Sequence, residues 1–592
     1  MGKSGNTKGV KVYSINTTIR SPLRNIRFLE AYQEFNGMRF DAIWKKYYKK
    51  IISLGIYQPK IMDDSIKTKI ADGVELSNEE VENLILINKG KQTERGRLGT
   101  QLSALRDQGF LKFMPKSGRS FKYVYITGLG FDLLDKNLDM NDVYCKAMIG
   151  LHAQNPARES MWNKSRPFLN TLHVINRVTK IWKEEDGRKE EGITDYEFGA
   201  FVLTMNDCNY KKTANDIIKF RRQKKTFKLT KKDFEDLLKK VSTEYKATNV
   251  SLANSKEIEN GIKLIKREYP DDVFRKFQMT GLLDERKNDG GIVFYQFNEY
   301  NISKVNAILE CPKYKFPKFL TFKSVDEYYE YLETKVLLPW EQSEETRIKM
   351  AKEKAEYLEV DGEDIFTEDG YLTNIKAIEE KLDDIVSERA FTKAIASTQE
   401  EKLLDELQIL SGTIKDKKSE YDDIDEPLRL EYILALVFGL KYGKENVISN
   451  IKYNGQGTPL CHAPGGKPDI IFRNGKIGFI MEPTMLSNQT EMMKRESVGV
   501  WEHYGEQKRE ISYLNYGLLI SPRVFTRIVC FFKFYANDDE TNVMPISIDC
   551  LVNALRSSET IEDFNGWLDK SLDGLVNLHP SDYATKINNN LI

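Results

Sequence analysis

The stretch Leu460-Cys-His-Ala-Pro-Gly-Gly-Lys-Pro-Asp469-Ile-Ile-Phe-Arg473-Asn-Gly-Lys476-Ile-Gly-Phe-Ile-Met-Glu482-Pro-Thr484 decides how the C-terminal half folds. Two short apolar runs, Asp469–Arg473 and Lys476–Glu482, flank Asn474-Gly475, the strongest short signal for a β-hairpin. With Asn474-Gly475 as a two-residue loop, Arg473 pairs with Lys476 and Asp469 with Ile480. Side chains alternate along a strand, so Glu482 falls on the face of Asp469 as its diagonal neighbour. A three-residue loop would place the two acids on opposite faces. Two carboxylates held together repel unless a divalent cation lies between them. The plainer alternative is a solvated strand end with two unrelated acids.

More acids gather around this hairpin. Pro427 suits the first turn of a helix over Leu428–Leu440, on which Glu431 shares a face with Leu434 and Phe438. A carboxylate on an apolar stripe is costly to desolvate and calls for a partner. Beyond Thr484 the spacing predicts a helix from Thr490 to Ser512, with Glu496, Val500, His503 and Gln507 along one face. Of five histidines in the chain, His462 and His503 both fall in this region. Glu431, Asp469, Glu482 and Glu496 are hard oxygen donors and suit Mg²⁺, with Asp469, Glu482 and Glu431 as the ligands. His503 suits proton transfer or contact with phosphate.

The bulk properties restrict the remaining choices. At 592 residues the chain is too long for one core and predicts three or four domains. Its composition, 40% hydrophobic and 30% charged, is that of a soluble protein. Apolar runs stay short of a membrane span, and the N-terminus lacks a signal-peptide core. Six cysteines without a CxxC pair point to a reducing cytoplasm rather than a disulfide framework or zinc cluster. The net charge of zero hides an uneven distribution: Met1–Lys60 carries twelve Lys/Arg against three Asp/Glu. From Glu353 to Glu426, acids outnumber bases at least two to one. A basic front end offers affinity for phosphate.

The front half reads as recognition modules. Ser21-Pro-Leu-Arg24 opens a helical pattern, and Ile43–Lys50 mixes bases with aromatics, either as a solvated amphipathic helix or as a DNA contact. From Glu94 to Asp135 come a helix with Leu98, Leu102 and Leu105, a strand after Gly109, and a basic turn at Lys116–Arg119. A strand over Tyr123–Ile126 and a helix after Thr127 complete the order of a winged helix-turn-helix. Arg95, Arg97, Arg106, Arg119 and Lys122 are its candidate DNA contacts. Met161–Phe227 reads as helical, with a capping box at Thr194–Glu197 and a basic exit at Lys219–Lys225. A second helix-then-wing pattern runs from Val273 to Leu283, turns at Asp289–Gly291 and returns over Ile292–Tyr295. Ser324–Asp425 reads as a helical spacer, with Lys376–Leu410 as charged, solvent-bathed helix.

Pro468-Asp469, followed after twelve residues by Glu482-x-Thr484, resembles the PD-(D/E)xK nuclease motif, with threonine in the place of its lysine. The wider string resembles the AlwI-like type IIS restriction endonucleases and their strand-specific nicking relatives. It comprises Pro427-x-x-x-Glu431, His462-Ala-Pro-Gly-Gly-x-Pro468-Asp469, Glu482-x-Thr484, and Glu496 followed by His503. Ser21-Pro22-x-Arg24 and Arg95-x-Arg97 are similar to the family's N-terminal motifs. The likeness is dense from Glu426 to His503 and thin elsewhere.

The resemblance implies a multidomain α+β protein. Winged-helix recognition domains would occupy 1–150 and 151–320, a helical linker 321–420, and an α/β PD-(D/E)xK nuclease domain 421–592. Glu431, Asp469, Glu482 and Glu496 would be the active-site acids, with His503 accessory and Arg24 among the DNA contacts. The charge that lysine supplies elsewhere would fall to the metal, to His503 or to Lys494. The activity implied is Mg²⁺-dependent cleavage of double-stranded DNA a few base pairs outside a short asymmetric site. A transient homodimer or a small second subunit would cut the other strand, and a cognate methyltransferase would protect the host. The alternatives are a strand-specific nicking enzyme, the large subunit of a heterodimer, and a non-catalytic winged-helix DNA-binding regulator.

Overall fold

The computed structural model describes residues 12–15, 21–71, 74–90, 93–115, 122–158, 163–184, 187, 191–224, 230, 232, 236, 263–288, 290–360, 367–368, 371–372, 374–454, 457–463, 466–486, 488–538 and 541–591. Helices and sheets are mixed along the chain, which divides into two compact units. One comprises residues 1–43 and 96–384, the other 44–95 and 385–592.

The first unit uses one topology twice. In the first instance the helix Pro22–Tyr32, N-capped by Ser21, leads into the strand Met38–Arg39. The helix Glu94–Asp107 and the strands Leu111–Pro115 and Lys122–Ile126 follow, then the helix Gly128–Leu134 capped by Thr127. Lys122–Ile126 lies in the middle of this antiparallel sheet, with Met38–Arg39 on one side and Leu111–Pro115 on the other. A Cβ at Gly130 would lie 2.4 Å from the Phe110 carbonyl oxygen, so the last helix can approach the strand only with glycine there.

In the second instance the helix Pro167–Glu184 precedes the strand Ile193–Thr194 and the helix Tyr210–Lys224. The helix Tyr269–Gln278 and the strands Leu283–Lys287 and Val293–Phe297 complete it, with the last strand again central. The capping box at Thr194–Glu197 forms as expected, and Glu197 also takes a buried two-pronged hydrogen bond from Arg221 at 2.7 Å. The expected turns at Lys116–Arg119 and Asp289 lie outside the described residues.

The stretch Lys376–Leu410 does not stand in solvent as its charge pattern suggested. It forms the helices Ile375–Ala396 and Glu400–Ser411, which bury Ile378, Leu382, Phe391, Leu403, Leu404 and Leu407. Apart from the buried Glu406, the acids lie toward the outside of these helices and masked the apolar stripe beneath them.

The second unit is built on a five-stranded mixed sheet. The helix α1 (Glu426–Tyr442) precedes β1 (Val447–Ser449), β2 (Ile470–Arg473) and β3 (Gly478–Pro483). Then come α2 (Gln489–Arg495), α3 (Ser497–Glu510), β4 (Leu514–Ser521), α4 (Thr526–Asp538) and β5 (Val543–Ser547). The strand order is β5-β4-β3-β2-β1; β1, β2 and β3 are antiparallel neighbours, whereas β3, β4 and β5 run parallel. Every residue of β3 and β5 is buried, as sheets covered on both faces require. Helix α1 is buried from Leu428 through Gly439, and Phe438 packs against Phe472, Phe479 and Phe564. The predicted helix over Thr490–Ser512 is broken at Glu496 and ends at Glu510. Residues 44–95 belong to this unit, and the carbonyl of Ser53 accepts from the Asn488 side chain that caps α2.

Candidate active site

The β2–β3 hairpin turns one residue later than the sequence suggests. Arg473 pairs with Gly478, and Ile470 with Met481. The Asn474 N–H donates to the Ile477 carbonyl at 3.2 Å, which leaves Gly475-Lys476 as the two-residue loop. Only Gly475 in that loop has a left-handed φ, +84°, as a glycine-first hairpin loop requires. The Asn474 side chain accepts from the N–H groups of Lys476 and Ile477 at 3.0 and 2.8 Å, so it caps the turn and does not sit inside it. Moving the loop by one residue moves the register by two. Face parity is kept, and the register now sets Asp469 directly opposite Glu482, where a diagonal placement was expected.

Backbone contacts fix Asp469 just ahead of β2. Its carbonyl accepts from the Asn450 N–H at 3.1 Å, and the Asn450 side chain donates to the Pro468 carbonyl at 2.6 Å. The Glu482 side chain is buried, and its Oε1 lies 2.7 Å from Nδ1 of His503 on α3. Burial and the charges of Glu431, Glu482 and Glu496 push the Asp469 carboxyl well above its ordinary range. Burial also raises Glu482, opposed by its bond to His503. The two carboxyls lie close enough to interact directly, and their mutual repulsion adds to the rise at Asp469. His503 is raised, chiefly by its bond to Glu482.

Glu431 is the acid that α1 carries into its buried face. Its Oε1 lies 2.5 Å from Nδ1 of His462, which stands between the strand Pro459–Cys461 and β2. Its Oε2 is buried and has no hydrogen-bond partner among the described residues. The sequence reading placed His462 inside the family string but gave it no role. Its signal was present: a buried carboxylate on an apolar helix needs a donor, and histidine is scarce in this chain. Glu496 sits half-buried at the junction of α2 and α3.

Thus the fold brings Glu431, Glu482 and Glu496 within electrostatic reach of Asp469, with His462 and His503 bonded to Glu431 and Glu482. Among the described residues, no three His, Cys, Asp or Glu side chains form a ready-made metal cage. Thr484 is buried, and its hydroxyl accepts from the Leu486 N–H at 3.2 Å, so it serves the turn after β3. Lys494 is exposed in the last turn of α2.

Of the candidate DNA contacts, Arg24, Arg97, Arg106 and Lys122 belong to the first unit and Arg95 to the second. Arg95 and Lys122 are exposed, Arg24, Arg97 and Arg106 are half-buried, and Arg119 lies outside the described residues. Arg106 is tied to Asp107 by two hydrogen bonds, at 3.0 and 2.6 Å, and packs over the Phe113 ring. Lys122 faces the same ring, and burial lowers its pKa.

The family model for the AlwI restriction endonuclease matches residues 109–553, about three quarters of the chain and all four acids. The chain belongs to the AlwI restriction endonuclease family. Membership makes this AlwI-family chain a site-specific deoxyribonuclease whose substrate is double-stranded DNA. No curated protein matches it. Among solved structures, it is similar to the small subunit of the heterodimeric restriction endonuclease R.BspD6I, with 20% identity and a TM-score of 0.27, over 32% of this chain and 100% of that one. It is also similar to restriction endonuclease FokI, with 13% identity and a TM-score of 0.23, over 94% of this chain and 98% of that one. FokI bound to DNA gives 13% and 0.22, over 98% and 99%. Likenesses this low do not decide the fold.

Proposed function

We propose that this AlwI-family protein is a type IIS-like restriction endonuclease. It binds a short asymmetric site through its first unit and hydrolyses phosphodiester bonds a few base pairs away with its second, using Mg²⁺. The observation that carries the reading is the pairing of Asp469 with Glu482 on adjacent strands, with the buried Glu431 beside them. The order α1-β1-β2-β3-α3-β4, with β4 parallel to β3, supports a PD-(D/E)xK nuclease. The twice-used three-stranded topology supports two winged-helix modules. All candidate acids fall in one unit and both three-stranded sheets in the other, the division that cutting outside the recognised sequence needs.

The residues fit a hard divalent cation. The donors are all carboxylate oxygens, Glu431 keeps a buried oxygen without a hydrogen-bond partner among the described residues, and burial with neighbouring acids raises the Asp469 carboxyl, a rise that a bound cation would oppose. Asp469, Glu482 and Glu431 would hold the ion, with Glu496 in reserve. When bound, a divalent cation stabilises charge on the phosphate and makes the attacking water more acidic. The chain's own residues do the positioning. His462 fixes Glu431 through Oε1 and leaves Oε2 for the site, and His503 fixes Glu482. His503 Nε2 stays available to a phosphate oxygen or a departing proton. Thr484 contributes no charge, and Lys494 is the remaining candidate for that role. The reducing cytoplasm suits six free cysteines.

The test is supercoiled plasmid carrying the cognate site, incubated with Mg²⁺ and, in parallel, with EDTA. Linear product with Mg²⁺ alone supports the proposal, nicked circles indicate a strand-specific nicking enzyme, and unchanged plasmid overturns both.

A further inference from the structure

The segment that leaves the second three-stranded module reads Cys311-Pro-Lys-Tyr-Lys-Phe-Pro-Lys-Phe-Leu-Thr-Phe-Lys-Ser324. It holds four lysines and no acid, and it runs without helix or strand. Bases set among aromatics and prolines suit either a solvated loop or a surface that meets an anion. How the segment is held separates the two.

Its aromatic residues pin it to the body of the first unit. Tyr314 is buried; its hydroxyl donates to the Leu337 carbonyl at 2.7 Å, and its own carbonyl accepts from Nε2 of His173 at 2.9 Å. His173 lies on the helix Pro167–Glu184 of the second module. Pro317 is buried, and the rings of Phe319 and Phe322 meet that of the buried His152 edge to face, at 5.5 and 5.2 Å. The segment then enters the helix Val325–Thr334, capped by Ser324, which is fastened to the first module. There the Tyr329 hydroxyl donates to the Leu111 carbonyl and Glu333 accepts from the Gly128 N–H, both at 2.7 Å. A solvated loop needs no such anchorage. This is a strap from one module to the other, ordered before any partner arrives.

The lysines are what the anchors leave outside. Lys313, Lys315, Lys318 and Lys323 are exposed, interleaved with the buried or half-buried Tyr314, Pro317, Phe319 and Phe322. The Lys313 ammonium donates to the Lys335 carbonyl, and burial and the charge of Arg166 lower its pKa. Lys315, Lys318 and Lys323 form no ion pair among the described residues. It is the Lys323 backbone N–H, and not its ammonium, that donates to Glu327, at 2.5 Å. Other lysines of this unit are matched by acids: Lys112 by Asp326, Lys146 by Glu341 and Lys304 by Asp142. Three unmatched like charges within nine residues, fixed in place, repel one another and attract a polyanion.

We propose that this strap is a phosphate-backbone contact for duplex DNA, with Lys315, Lys318 and Lys323 each neutralising a phosphate. Lysine meets phosphate as a point charge, so the contact carries no base information and adds equally to cognate and unrelated DNA. Being fixed to both modules, it registers the duplex against them. The inference rests on duplex DNA as substrate, which family membership supplies, and not on the carboxylate site.

The test is binding of a fluorescent duplex of unrelated sequence to the full chain, in EDTA, between about 50 and 200 mM NaCl. Each phosphate neutralised contributes about 0.9 to the slope of log K against log salt. Lys315→Gln, Lys318→Gln and Lys323→Gln combined should make the slope shallower by about two to three, and Lys315→Arg, Lys318→Arg and Lys323→Arg combined should leave it in place. Lys318→Gln alone should lower it by about one. Acetylation of the wild-type chain, read by mass spectrometry, should find all three lysines protected by the duplex, so a misfolded triple variant does not shelter the proposal. An unchanged slope in Lys318→Gln or in a folded triple variant, or equal acetylation with and without DNA, overturns it. Because EDTA silences cleavage, failure here leaves the nuclease reading standing, whereas a wild-type chain that binds no duplex overturns both.

Discussion

Asp469→Asn should make the protein more stable and inactive at once. Burial and three neighbouring acids push the Asp469 carboxyl well above its ordinary range. The unfolded carboxyl is ionised at pH 7, so folding must take up a proton there. That uptake costs about 1.36 kcal/mol for each pH unit above the unfolded pKa of about 3.9, a ceiling of about 4 kcal/mol at pH 7. Asparagine needs no proton and can still donate to Glu482. The sign is fixed: a carboxyl raised on folding disfavours the native state above its unfolded pKa, and the penalty vanishes below it. If half the ceiling is realised, about 2 kcal/mol, the melting temperature should rise by roughly 4–8 °C for a unit of this size. The assay is thermal unfolding in EDTA at pH 7 and at pH 4, with plasmid cleavage in Mg²⁺ alongside. The gain should appear at pH 7 and disappear at pH 4, with cleavage abolished and DNA binding within a few-fold of wild type. Equal melting temperatures at pH 7, or a cleaving variant, would refute the reasoning.

Four further outcomes follow. The Glu482–His503 pair raises His503, so its stabilisation is complete below the unfolded histidine pKa of about 6.5 and fades as pH rises through the higher native value. A His503→Gln variant should therefore lose melting temperature at pH 6 and little at pH 9, and a loss that does not depend on pH would count against the pair. His462→Ala should raise the Mg²⁺ concentration needed for half-maximal cleavage by about 10–100-fold, with His462→Asn recovering part of it; an unchanged Mg²⁺ titration would remove His462 from the site. Gly475→Ala meets no atom within 4 Å but keeps a φ of +84°, so denaturant unfolding should show a loss of about 1–2 kcal/mol from backbone strain alone. Arg221→Ala strands the buried Glu197 and should cost about 3–5 kcal/mol in denaturant unfolding of the first unit, and an unchanged unfolding curve would count against the pair.

Local patterns carried much of this far. The apolar runs around Asn474-Gly475, the Pro427 that starts α1 and the capping box at Thr194 each announce themselves within a few residues. The hairpin register was misread because Asn474 can either enter a loop or cap one from outside. Its side chain does the latter, and dipeptide identity does not separate the two. Because the error was two residues, Asp469 and Glu482 stayed on one face; an error of one would have separated them. The break at Glu496 has no Pro or Gly to mark it. Nor could residues 44–95 be assigned to the C-terminal unit, since packing across hundreds of residues leaves no periodic trace. His462 was legible as a residue but not as a partner, because its bond to Glu431 depends on how α1 meets the strand Pro459–Cys461.

The central claim is that one carboxylate site in the second unit cuts DNA at a distance from what the first unit reads. Run-off sequencing of plasmid DNA treated with the wild-type chain and with Asp469→Asn, in Mg²⁺, tests it directly. The account predicts wild-type ends at a fixed offset to one side of a common short asymmetric sequence, and none from the variant. Ends inside the shared sequence, or equal ends from both proteins, would contradict it.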